Sequence, residues 1–175
     1  MKAVVQRVLD ANVTVDGVVK GKIENGLLVY LGVAHDDGES DADWLAEKIA
    51  NLRIFNDDEE KMNLSLKDLI LNSQKQNAAN NQGSEDVPKA FGIPKAFGIL
   101  TISQFTLLAD ARKGRRPSWN AAAAPEKAKR LYDYFINAVK KHDLVCENGE
   151  FQAHMKVTYT NDGPVTVILD TECLK

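Results

Sequence analysis

The sequence predicts an α+β fold, with a mixed or antiparallel, or barrel-like, sheet and two main helices. Three observations carry this. β-branched and aliphatic runs recur near both ends of the chain. Two segments place apolar residues at helical spacing. The second of them precedes the last strands, so strands and helices do not alternate as a βαβ series requires.

The elements follow in chain order. Residues 2–8 (KAVVQRV) read as a strand. NVTVDGVVKGKI comes next, and Asp16-Gly17 between two Val-rich halves is a hairpin signal. GLLVYLGVA, residues 26–34, reads as a buried strand, and HDDGES as a loop. Ser40 and Asp43 make a capping-box-like start. Leu45, Ile49 and Leu52 follow at helical spacing, and the helix ends near Leu52. RIFN reads as a short strand and NDDEEK as a turn.

Residues 70–99 begin polar and Asn/Gln-rich, as a surface insertion does. They end in PKAFGI written twice, at 88–93 and 94–99. A duplicated hexapeptide is too short for a repeat fold. It is either a tolerated insertion or an added contact surface using Lys89 and Lys95. LTISQFTLL, residues 100–108, is strand-like again. Pro125 opens the second helix at a favoured position. Ala128, Leu131, Phe135 and Val139 form its apolar face, and Lys140, Lys141 and His142 suit its negative end. In VTYTNDGPVTVILD, strands at 157–160 and 165–168 flank a stiff Asn-Asp-Gly-Pro turn.

A chain of 175 residues suits one domain spanning residues 1–175. Its net charge of −3 excludes a general polyanion binder, so any RNA contact must be a local patch. Two distant cysteines lack metal spacing and fit a reducing compartment. The N-terminus enters a strand pattern with no signal-peptide core, and no apolar run is long enough to span a bilayer. A cytoplasmic protein without membrane contact is expected.

No Gly-x-Ser-x-Gly elbow, HExxH or P-loop occurs. The three histidines show no metal spacing, and a Ser-His-Asp triad assembled in space is not excluded. SQFTLLADARKGRRPSW, residues 103–119, is more informative. Strand alternation sends Gln104 and Thr106 to one face and Ser103 and Phe105 to the other. These polar groups serve either cross-strand hydrogen bonding or the lining of a pocket. Arg112, Lys113, Arg115 and Arg116 then gather four cations around Gly114, a pattern suited to phosphate.

SQFTL, RKGRRPS and NDGPVT in this order, with the opening QRVLDANVTVDG, resemble the D-aminoacyl-tRNA deacylase (D-tyrosyl-tRNA deacylase) family. The resemblance covers the chain apart from about residues 70–99. Ser103 favours the D-specific class over related deacylases that begin this motif with Pro. LADARKG departs from relatives that carry Gly or Tyr before the acidic residue, which bears on local loop shape.

The resemblance implies hydrolysis of the ester between a D-amino acid and the terminal adenosine of tRNA, and clearance of glycine mischarged on tRNA. It implies a homodimer in which Gly163-Pro164, with a cis bond, reaches from one subunit into the site of the other. Ser103, Gln104 and Thr106 take catalytic or orienting roles. Phe105, Asn161, Gly163, Pro164, Thr166, Phe151 and Met155 contact substrate, and Arg112, Lys113, Arg115 and Arg116 meet the tRNA acceptor end. Arg7 lies near the site or makes a structural ion pair. No cofactor or metal is implied, because the 2′-hydroxyl of the adenosine helps position water.

The physical logic of what the resemblance implies can be rebuilt from the residues. Rejecting one hand while accepting many side chains needs a rigid obstacle at the L-side-chain position. Backbone carbonyls held by Gly and Pro cannot rotate away. Two other classes compete: a non-catalytic RNA-binding module, disfavoured by the lack of RRM-like aromatic motifs, and a metal- or triad-dependent esterase of small molecules.

Overall fold

The structure is a computed structural model that describes residues 1–80 and 97–174. One mixed sheet dominates it. β1 (Lys2–Val15) is the spine. On one edge its first half pairs antiparallel with β3 (Asn25–Gly32), and its second half with β2 (Val18–Ile23). β8 (Lys156–Asp170) pairs with β1 along nearly its whole length, from Lys2↔Asp170 to Thr14↔Lys156. Beyond β3, β6 (Phe97–Ser103) and β7 (Val145–Asn148) add parallel neighbours. β4 (Phe55–Asn56) and β5 (Met62–Leu64) form a small separate ribbon.

The sheet is nearly closed into a barrel. A Cβ placed on Gly21 of β2 would lie 2.8 Å from the Asn148 carbonyl oxygen of β7. Only a residue without a side chain lets the two ends of the strand order approach so closely.

Curvature gives the sheet two buried faces, which explains the unbroken apolar run in β3. Leu28, Leu100 and Ile102 point into the barrel with Val13 and Ile23. Leu27, Val29, Leu31 and Ile99 point outward under the helices. α1 (Glu39–Ala50) covers that outer face with Leu45 and Ile49, and α3 (Pro125–Lys140) with Leu131, Phe135 and Val139. Fully buried side chains such as Phe135 and Ile49 are each worth roughly 2–3 kcal/mol.

The α+β class and mixed sheet are those read from sequence, with four local differences. First, a third helix, α2 (Leu66–Asn80), joins the two expected. It takes in residues read as the polar start of an insertion. Ser65 caps it: the Asp68 carboxylate accepts from the Ser65 N–H at 2.8 Å and the Ser65 hydroxyl at 2.7 Å. Residues 81–96, including the first PKAFGI, lie outside the described residues, and the last three residues read as insertion, Phe97, Gly98 and Ile99, instead open β6.

Second, α1 starts earlier than Ser40. Gly38 is its N-cap, and the Gly38 N–H donates to Asp41 Oδ2 at 2.9 Å. Asp43 instead accepts from the Tyr134 hydroxyl of α3 at 3.0 Å, tying the two helices together. Third, β6 stops at Ser103, and residues Phe105–Leu108 form a 3-10 turn. Strand alternation therefore does not govern Gln104 and Thr106. Fourth, Asn161–Pro164 does not separate two strands. β8 runs through it, and residues 162–165 bulge out opposite Arg7 alone, between the pairs Val8↔Asn161 and Gln6↔Thr166.

Candidate active site

Where β6 ends, the backbone leaves the sheet around a cavity of about 560 Å³. The Gln104 N–H still bonds to the Leu31 carbonyl at 2.8 Å, extending the ladder by one residue. The chain then tightens, with the Leu107 N–H reaching the Gln104 carbonyl at 3.3 Å. The opening N–H groups of such a turn, here Phe105 and Thr106, have no acceptor within it. The Gln104 amide Nε2 donates to the Thr106 hydroxyl, so the two side chains are oriented together.

The floor of the cavity is apolar. Ile102 and Met155 reach it from the barrel interior, and Leu31 from β3. Phe151 lies 5.9 Å from the Tyr132 ring, centroid to centroid. The Tyr132 hydroxyl donates to the Thr101 carbonyl at 2.8 Å, and burial pushes its pKa well above the ordinary range. It is a fixed neutral wall. Ser103, Gln104, Gln152 and the exposed His154 bring polar side chains to the lining. Among the described lining residues there is no carboxylate and no cysteine, so a Ser-His pair here has no acid partner. No cluster of three His, Cys, Asp or Glu that could hold a metal occurs among the described residues.

A second cavity of about 950 Å³ lies beside Met1 and Asp37. Asp36, Asp110, Asp170 and Glu172 line it. Lys2 and Arg112 also line it and pair with Asp170 and Asp110, which leaves Asp36 and Glu172 to disfavour phosphate, and the first cavity is the better candidate.

The structure thus brings Ser103, Gln104, Phe105, Phe151 and Met155 to one cavity, with Thr106 attached through Gln104. It does not bring Asn161, Gly163, Pro164 or Thr166 there. They belong to the bulge on β8, where Gly163 and Pro164 are exposed. The Gly163–Pro164 bond is cis, and Gly163 has φ +119°, a region L residues rarely enter. Asn161 Nδ2 staples the base of the bulge, donating to the Arg7 carbonyl at 2.9 Å and the Val165 carbonyl at 3.2 Å. Thr166 Oγ1 accepts from Gln6 Nε2 at 3.3 Å.

Arg7 is the support that sequence reading left undecided. Its buried guanidinium sits under the bulge. Nη1 donates to the Ile54 carbonyl at 2.7 Å and to Asn56 Oδ1 at 3.2 Å. Nε lies 2.8 Å from Asp162 Oδ2, an ion pair whose angle falls outside hydrogen-bond geometry. Tyr132 was missed altogether, since its place on the α3 face looks like any core aromatic.

The basic loop is a closed unit. Asp110 and Ser118 exchange backbone hydrogen bonds of 2.8 and 2.9 Å across its neck. Arg112 folds back on Asp110 at 2.7 and 2.9 Å, and that contact holds the Asp110 carboxyl well below the usual carboxylate range. Arg112 is therefore neutralised locally. Lys113, Arg115 and Arg116 carry the exposed positive charge.

Known proteins are similar to this chain in sequence and fold. The family model for D-Tyr-tRNA(Tyr) deacylase matches residues 4–75 and 80–170. D-aminoacyl-tRNA deacylases of Koribacter versatilis (strain Ellin345) and Thermosipho africanus (strain TCF52B) are each 49% identical over 172 residues, covering 98% of this chain and 98% of the relative. The solved structure of a c-Myc DNA unwinding element binding protein superposes with TM-score 0.76 at 34% identity, covering 97% of this chain and 98% of that one. A probable eukaryotic D-amino acid tRNA deacylase shares the fold, with TM-score 0.70 at 15% identity, over 96% of this chain and 97% of that one. No helix among the described residues is long and apolar enough to cross a membrane. With a family model matched along nearly its whole length and relatives identical at about half of their positions, the chain belongs to the D-Tyr-tRNA(Tyr) deacylase family.

Proposed function

We propose that the protein hydrolyses the ester joining a D-amino acid to the terminal adenosine of tRNA, and the same ester of glycine, as proofreading of aminoacyl-tRNA in the cytoplasm. One observation carries the reading: a cavity that ends at Ser103-Gln104-Phe105, supplied with hydrogen-bond donors and free of carboxylates. Such a site stabilises a developing oxyanion and does not need its own acid–base relay. The relatives that share 49% of positions carry the matching name.

In this mechanism the ester carbonyl oxygen faces the Phe105 and Thr106 N–H groups. Gln104 and Thr106, bonded to each other, hold the carbonyl in line. Water attacks the carbonyl carbon, helped into place by the substrate's 2′-hydroxyl. The bond to the 3′-oxygen breaks, and that oxygen leaves with a proton. Phe151 and Met155 hold the adenosine side of the substrate. Lys113, Arg115 and Arg116 meet acceptor-end phosphates.

Chirality is set by the Gly163-Pro164 bulge of a second copy. Gly163 and Pro164 are exposed and do not line their own chain's cavity, which supports their contribution by a second chain. The outer edge of β8 suits that contact: Ile168 on it is 73% exposed. Backbone carbonyls of the bulge would collide with the Cβ of an L residue and spare glycine.

Purified protein offered D-Tyr-tRNA, L-Tyr-tRNA and Gly-tRNA should cleave the first and third. Robust cleavage of the L form refutes the backbone filter, and no cleavage of any refutes the activity. Light scattering with size exclusion should report a dimer. An aminoacyl adduct trapped on Thr106 would replace the orienting role by a covalent one.

A further inference from the structure

We propose that Trp119 is a stacking platform for the unpaired nucleotide that precedes the terminal adenosine; this rests on the RNA-ester reading above. Trp119 belongs neither to the SQFT turn nor to the run of cations, yet it touches Phe105 of the first and directly follows the loop that carries the second. Its ring meets Phe105 edge-on, with centroids 5.7 Å apart and planes at 65°. Phe105 lines the first cavity. Ser118 and Asn120, on either side of Trp119, line the second.

Two large aromatic rings are left in solvent at this point, Phe105 58% exposed and Trp119 40%. The platform is rigid. The Asp110–Ser118 bridge fixes the chain just before Trp119, and the Trp119 carbonyl accepts from the Ala122 N–H at 2.9 Å just after it. Ala122 and Ala123, next in the chain, belong to the wall of the first cavity.

Charge selects the occupant. A strand whose last nucleoside fills the first cavity must leave over its rim. Asp36 and Glu172 in the second cavity, which have no lysine or arginine ion pair among the described residues, disfavour its phosphates there. Lys113, Arg115 and Arg116 attract them from the loop that the Asp110–Ser118 bridge closes just before Trp119. An exposed indole on that path takes any base, because every base has a π-face.

The test uses the full-length protein and the variants Trp119→Ala, Trp119→Leu and Trp119→Phe. Two substrates are compared, D-Tyr-tRNA and D-Tyr-adenosine, which lacks the preceding nucleotide. Loss of one stacked base should raise KM for the tRNA ester roughly 5- to 100-fold in the Ala and Leu variants. The Phe variant should recover most of it, and KM for D-Tyr-adenosine should not move. Equal losses on both substrates, equal behaviour of Leu and Phe, or an unmoved KM overturns the proposal. A second readout does not need catalysis. In a Trp44→Phe background, RNA ending in CCA should quench Trp119 emission, and no quenching at saturation overturns the proposal. A wild-type protein that cleaves neither ester refutes the activity, while the quenching result still decides the stacking.

Discussion

Replacing Arg7 by Leu should loosen the β8 bulge and relax discrimination between D and L substrates. Leu keeps apolar bulk and removes the guanidinium. The Ile54 carbonyl then loses a charge-assisted donor at 2.7 Å, worth about 1.5–3 kcal/mol for a hydrogen bond to a charged group. The Asp162 contact at 2.8 Å adds less, because Asp162 is 38% exposed, and a screened pair contributes about 0–1 kcal/mol. The sum is roughly 1.5–4 kcal/mol, which lowers Tm by about 3–16 °C in a domain of this size. The functional effect is local. Gly163 sits directly against the guanidinium, since a Cβ built on it would lie 3.2 Å from Arg7 Nη2. Without that floor the carbonyls at 163–164 can shift, and the ratio of kcat/KM for D-Tyr-tRNA over L-Tyr-tRNA should fall. Scanning calorimetry and parallel deacylation assays supply both quantities. A variant that loses stability but keeps its full D-over-L ratio would refute the claim that Arg7 sets the bulge.

Four further outcomes are expected. Gly21→Ala places a methyl 2.8 Å from the Asn148 carbonyl, and overpacking of this kind should cost roughly 1–3 kcal/mol in chemical denaturation. The double variant Arg115→Ser/Arg116→Ser should flatten the plot of log affinity against log salt by roughly 1.5 for uncharged tRNA. Arg112→Gln combined with Asp110→Asn should leave that slope unchanged, because the two charges already cancel. Tyr132 titrates above the unfolded value of about 10 because it is buried. Its folded pKa is raised, so its contribution to stability is complete below pH about 10 and declines as pH rises through the folded value. Tyr132→Phe should therefore show a shallower loss of Tm than wild type between about pH 10 and 11.5.

The parts of the fold that read directly from sequence are those governed by neighbours in the chain. Asp16-Gly17, with positive φ at both residues, is the hairpin its dipeptide announces. Pro125 stands in the first turn of α3, and Leu131, Phe135 and Val139 face the core at their helical spacing. The third helix was also legible, in Ser65 with Asp68 and in Leu66, Leu69 and Ile70 after them. The polar composition downstream obscured it.

Pairing between distant residues set the rest. Asn161–Pro164 has the composition of a turn. It stays within one strand because β1 continues past it and pairs on both sides, so the surplus residues bulge outward opposite Arg7. Gln104 and Thr106 leave strand geometry because the chain must turn off the sheet at the end of β6. The acidic partner of Arg112 is two residues away, yet its neutralising effect depends on side chains folding back across the loop. Residue type and spacing carry the chemistry of a site. Which groups share a cavity depends on how the sheet closes.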